Sequence, residues 1–226
     1  MDGRPAVYRW GAVLLLLTAS FAFAMLDPGG AWPPVVATVL QGGAVVAALS
    51  RAQVDGRLRA LALTAVAVTV GSAVVAAFGG LHRVGVTDAI DACLLALIPV
   101  AIVLEFRRHL TVTVQSVTAA VCVYVVLGMI YASVASAVSD ISGSPYFAGK
   151  ASARTSDYVY FSFITLATVG YGDLVPALRL GRALAVLEGL MGQLYLVTVV
   201  ALVVSRIGWR SPGATPAQGD RFQTGE

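Results

Sequence analysis

Apolar residues along this chain gather into six long runs, separated by short polar or glycine-bearing breaks. The runs cover about Ala6 to Leu26, Trp32 to Leu49, Ala60 to Phe78, Thr87 to Phe106, Thr111 to Val138 and Arg182 to Ile207. Asp27-Pro28-Gly29-Gly30 closes the first, Arg51 the second, Gly79-Gly80 the third and Arg107-Arg108-His109 the fourth. Each run meets the roughly 20 residues that a helix needs to cross hydrocarbon, given some tilt. The pattern predicts an all-α membrane protein with six transmembrane helices. It shows no internal repeat, heptad or low-complexity tract.

The stretch between the fifth and sixth runs differs from the other connections. Ser139 to Thr155 is polar and turn-rich, and Ser156 to Ala167 follows as an apolar segment of about a dozen residues. That length is too short to span, so it predicts a re-entrant helix. Ser156 suits the start of this helix as a cap, and Asp157 suits its positive end. Thr168-Val169-Gly170-Tyr171-Gly172-Asp173 stands immediately after it, and Leu174 to Gly181 leads back to the sixth run.

Composition narrows the classes. Of 226 residues, 58% are hydrophobic and 12% charged, and the mean hydropathy is +0.83. A soluble domain carries about twice that charged fraction, and a disordered chain is poorer in apolar residues. The net charge, 15 − 12 = +3, gives no basis for a nucleic-acid partner. Cys93 and Cys122 lie inside apolar runs and read as small hydrophobes. No Ser/His/Asp grouping, metal cluster or phosphate loop is visible, so neither an enzyme nor a cofactor is expected. His82 and His109 read as solvated loop or interface residues.

Charge distribution sets the expected topology. Arg4 and Arg9 precede the first run; Arg51, Arg57 and Arg59 separate the second and third. Arg107 and Arg108 separate the fourth and fifth, and Arg206, Arg210 and Arg221 end or follow the sixth. The positive-inside rule makes these regions cytoplasmic, with both termini inside. Arg4, Arg9, the first run and Ala22-Phe23-Ala24 also imitate a cleavable secretory signal. A retained helix is preferred, because the run is longer than a signal core. The tail from Trp209 reads as disordered.

Thr168 to Asp173 reads TVGYGD, and here the chain resembles the tetrameric, one-pore, six-helix potassium channels of the voltage-gated-like superfamily, of prokaryotic type. The likeness is strong over about Thr111 to Gly208, while the first four helices match in number and order alone. The resemblance implies a four-helix domain over 1–110, a pore domain over 111–208 and a cytoplasmic tail over 209–226. It implies a multi-pass protein of the plasma membrane, in contact with lipid, that conducts K+ passively. Stripped of water in a narrow pore, the ion needs rings of backbone carbonyls, each ring built by four chains. One such segment per chain therefore implies a homotetramer.

Thr168, Val169, Gly170, Tyr171 and Gly172 are the filter residues by this likeness, with K+ at Thr168, Val169, Gly170 and Tyr171. Aiming successive carbonyls at one axis needs alternating backbone conformations, which Gly170 and Gly172 permit. The Thr168 hydroxyl completes the innermost site, and the Val169 and Tyr171 side chains pack behind the filter. Asp173, Tyr160, Phe161 and Glu188 are expected to support the filter, with a Tyr160–Asp173 hydrogen bond weighed against plain packing. Ile164 stands where some relatives carry an acid. Glu188, an acid within a spanning run, is read as a buried brace rather than an interfacial, solvated group. Gly192, with Gly189 nearby, is either a gating hinge or a close-packing point against the short helix. Leu196, Val200, Ala201, Val204 and Gly208 are expected to line the cavity and gate.

The likeness breaks at the fourth run. A voltage sensor needs arginines at every third residue, whereas Thr87 to Phe106 holds Asp88, Asp91 and Glu105 and no arginine. Strong voltage gating is therefore not expected. Two rival readings are a membrane enzyme or transporter, which predicts acids and histidines converging at mid-membrane and an internal repeat, neither of them visible, and a non-conducting subunit, against which the intact motif speaks.

Overall fold

The computed structural model describes residues 10–26, 32–51, 56–79, 85–108 and 114–207. These form seven helices: α1 (Gly11–Leu26), α2 (Trp32–Arg51), α3 (Gly56–Gly79), α4 (Gly85–Arg108), α5 (Val114–Ser142), α6 (Thr155–Leu166) and α7 (Arg179–Ile207). Among the described residues the only β pairing is an isolated bridge between Phe147 and Pro176. Five helices, α2, α3, α4, α5 and α7, are long and apolar enough to cross a membrane, and α1 is a shorter apolar helix. The protein is an all-α, multi-pass membrane protein.

Helices α2, α3, α4 and α7 extend beyond their apolar runs, because a helix continues into polar residues until something stops it. α3 begins at Gly56 and takes in Arg57 and Arg59. α5 passes Val138 and continues to Ser142, where Gly143 turns the backbone left-handed at φ +61°. The short helix differs from expectation at its start. Its cap is Arg154, not Ser156. Asp157 still serves the N-terminus, accepting the Arg154 backbone N–H at 2.7 Å.

One core joins the first, second, fourth and fifth helices: Trp10, Val13 and Leu17 meet Val45, Leu95, Ile98, Cys122 and Val126. α3 packs more loosely, with Leu61, Val68, Val75 and Phe78 exposed, as suits a helix apolar all round and facing lipid. α4 lies close against α5 at one end. A Cβ on Gly85 would stand 2.7 Å from Asp140 Cβ, and Ser136 donates to Asp88. α1 reaches further, with Ala24, Phe21 and Met25 joining a second core that holds Ala132, Tyr146, Phe147 and Phe161.

The expectations on Arg4, Arg9, Asp27, His82, His109, Gly208, Arg210, Arg221 and the 209–226 tail lie outside the described residues. So do the side chains of Arg51, Arg107, Arg108, Val200, Val204 and Arg206.

Candidate functional site

Helix α6 is the organising element. Its N-terminus is held by Asp157, whose second oxygen pairs with Lys150 at 2.6 Å. An anionic side chain at that end complements the helix dipole. Its buried face presents Tyr158, Val159, Phe161, Ser162 and Leu166.

Tyr158 and Phe161 enter an aromatic nest completed by the connection before the helix. The Tyr146 ring lies 5.0 Å from Phe147 and 5.9 Å from Tyr158, and Phe147 lies 5.2 Å from Phe161. Tilted and edge-on aromatic pairs at these separations add to simple burial. The same connection is clipped to the segment beyond the TVGYGD loop. Ala148 donates its N–H to Val175 O, and Ala177 donates to Tyr146 O, both at 2.8 Å. The two flanks of the loop are thus fastened to each other. The polar, turn-rich character of Ser139 to Thr155 gave no sign of this nest. Two adjacent aromatics, Tyr146-Phe147, in a polar stretch were the available signal.

At the C-terminal end of α6 the backbone alternates. Thr168, Gly170 and Gly172 take left-handed φ values of 57°, 52° and 78°. Glycine accepts that region freely, whereas a threonine there costs about 1–2 kcal/mol. Thr168 N–H bonds Thr165 O at 2.9 Å, and Val169 N–H bonds Ile164 O at 2.8 Å. Gly170 N–H also reaches Ile164 O, at 3.2 Å. Ile164, noted in the sequence only for lacking an acid, is therefore a backbone anchor. The left-handed Thr168 was not anticipated.

Tyr160 and Phe161 separate in role. Phe161 is buried in the nest, while Tyr160 makes a side-chain hydrogen bond to Asp173. Val169 and Tyr171 are 50% and 72% exposed, so this chain covers them only in part.

Three side chains tie α6 to its neighbours. Ser162 donates to Gly128 O of α5 at 2.6 Å and also hydrogen-bonds Glu188 Oε1 of α7. Glu188 is 2% exposed; it is buried, not solvated. Phe163 fills the notch left by Gly128, where a Cβ would lie 2.7 Å from its Cζ. The Phe163 ring also meets that of Phe21 of α1, with centroids 4.6 Å apart. Ser162, Phe163 and Gly128 were not singled out in the sequence, although a glycine in a spanning run was a signal.

On α7, Gly192 packs against the end of α6, its missing Cβ 2.1 Å from Leu166 O. Gly189 faces Thr165 O at an ordinary 3.7 Å. Below them Tyr195 donates to Ala120 O of α5 at 2.6 Å and stacks at 5.9 Å on Tyr124. Leu196 and Ala201 are exposed, on a helix whose Leu187, Leu190, Leu194 and Val197 are exposed too.

Residues 119–208 match a family described as an ion channel. A segment of 59 residues is 44% identical to a protein of Oryza sativa subsp. japonica described as "Two pore potassium channel a". That segment is 26% of this chain, and it spans 16% of the relative. No solved structure matches.

Proposed function

We propose that this protein is a potassium-selective ion channel, assembled as a homotetramer, in which K+ moves passively down its gradient. The observation that carries the reading is the TVGYGD loop with left-handed backbone at Thr168, Gly170 and Gly172. Alternation of this kind turns successive carbonyls to one side, as a carbonyl-lined filter requires. The ion-channel match over 119–208 supports it, as does the name of the rice relative.

In this reading α6 is a re-entrant pore helix, α5 and α7 are the outer and inner pore helices, and α1 to α4 form a surrounding collar. All but α6 span, six in number, with both termini cytoplasmic and the membrane a plasma membrane. K+ is coordinated by Thr168, Val169, Gly170 and Tyr171, with Gly172 completing the filter. Asp173, Tyr160, Phe161 and Glu188 support it. Leu196, Val200, Ala201, Val204 and Gly208 line the cavity and gate, and Gly192 and Gly189 are where the inner helix pivots. One loop in these 226 residues requires four copies to close each carbonyl ring. Exposure of Val169 and Tyr171 in the single chain agrees with neighbours covering them. The collar carries no arginine series over Thr87 to Phe106, so steep voltage dependence is not part of the proposal.

The test is purified protein in liposomes under a potassium gradient. Potassium flux that excludes sodium and is blocked by barium is expected. Equal fluxes of the two ions would defeat the proposal.

A further inference from the structure

Ser162 has one proton and two acceptors. Its hydroxyl faces Gly128 O at 2.6 Å and Glu188 Oε1, but a serine hydroxyl donates once. One full hydrogen bond of the pair therefore needs a proton from the other side. Gly128 offers a carbonyl, which has none. The only remaining source is the Glu188 carboxyl.

The surroundings favour that source. Glu188 is buried at 2% exposure, and Ser162 is its hydrogen-bond partner among the described residues. Among the described residues, the other titratable groups near it are the phenols of Tyr131 on α5 and of Tyr146 in the α5–α6 connection. Neither is a cation at any pH. An ionised carboxylate buried without a positive partner is far costlier than a neutral acid that can donate.

From this we infer that Glu188 stands as a neutral carboxylic acid and closes a proton-ordered chain, Glu188 O–H to Ser162 Oγ and Ser162 O–H to Gly128 O, which clamps α6 between α5 and α7. Ser162 is the pivot of this clamp and a positioning residue for the loop that begins six residues later. Phe163 docks at the same glycine through its ring, so adjacent residues of α6 grip one point of α5, one by hydrogen bond and one by shape. The inference uses the pore-helix reading above for its effect on conduction, but its chemistry rests on geometry alone.

Infrared difference spectroscopy of the full-length protein against E188Q at neutral pH tests the chemistry. The wild type is expected to show a protonated-carboxyl C=O band that E188Q lacks. A carboxylate band in its place overturns the inference. Potassium flux tests the clamp. E188A and S162A are expected to lose roughly tenfold or more, the scale of leaving a buried partner unmatched. E188Q, whose amide still donates to Ser162, is expected to recover most of the E188A loss. E188Q as poor as E188A overturns the clamp. If a variant does not fold, titration of the wild-type band alone still decides the protonation state. A wild type with the band but without selective potassium flux defeats the channel reading and leaves the protonation intact.

Discussion

The carbonyl oxygen of Leu166 stands 2.1 Å from the place a Cβ on Gly192 would occupy. α7 can lie against the end of α6 only because position 192 has no side chain. The neighbour in the way is backbone, which cannot swing aside as a side-chain tip can. Gly192→Ala is therefore expected to lower stability by about 1–3 kcal/mol through forced separation of the two helices. Gly189→Ala, with 3.7 Å of room, is expected to be neutral or slightly stabilising, since alanine favours helix by about 1 kcal/mol. Thermal unfolding of the two variants in one detergent checks the contrast; equal losses would dismiss it.

At Gly128 the obstacle is a ring, not backbone. A methyl there would meet Phe163 Cζ at 2.7 Å. Gly128→Ala is expected to cost about 1–3 kcal/mol. Adding Phe163→Leu should recover part of that, because the two sites share one space and are not additive. A double variant whose loss is the simple sum of the singles would show that the ring and the notch are independent.

Tyr195 joins α7 to α5 by a 2.6 Å bond to Ala120 O and by ring contact with Tyr124. Tyr195→Phe keeps the ring and removes the bond, with an expected loss of about 0.5–1.5 kcal/mol. If α7 swings from Gly192 when the proposed channel opens, this bond lies on the moving side. Single-channel recording of Tyr195→Phe should then find a changed open fraction with unchanged ion selectivity.

Tyr160 bonds Asp173 across the loop from α6 to its far end. In the proposed channel, Tyr160→Phe is expected to shorten the time the loop stays conductive, while the entry of K+ over sodium is little altered. Currents from Tyr160→Phe that decay at the wild-type rate would leave the bond without a conductive role.

The Lys150–Asp157 pair is partly exposed, so Lys150→Met should cost no more than about 1 kcal/mol. Asp157→Ala removes the Arg154 N–H acceptor as well, and a lost cap costs about 0.5–2 kcal/mol. Chemical denaturation should place the Asp157 variant below the Lys150 variant.

The helices were legible in the sequence because run length and polar breaks are local properties. The short α6 and the glycine-bearing loop were legible for the same reason, each within a dozen consecutive residues. What escaped depends on partners far along the chain. Ser162 is unremarked until Gly128 and Glu188 are brought to it from 34 and 26 positions away. Tyr146 and Phe147 look like loop residues until Tyr158 and Phe161 close over them. Arg154 took the cap foreseen for Ser156 because Asp157, three residues on, accepts the Arg154 N–H. For Gly192 the sequence left a pivot and a packing contact side by side; the structure supplies the contact. Glu188 was read as a buried brace, and it is buried.

Thr168 carries a further consequence. A β-branched residue held left-handed is a conformation a free loop gives up readily, and the side chains on either side of Gly170 are half or more exposed in the single chain. If neighbouring copies supply the missing cover, the shape of this loop is set by mass action. Loop order should then rise with subunit concentration, while the helices around it hold their form at any dilution. The chain would be made with its most specific part still provisional, and association would be the last step of its folding.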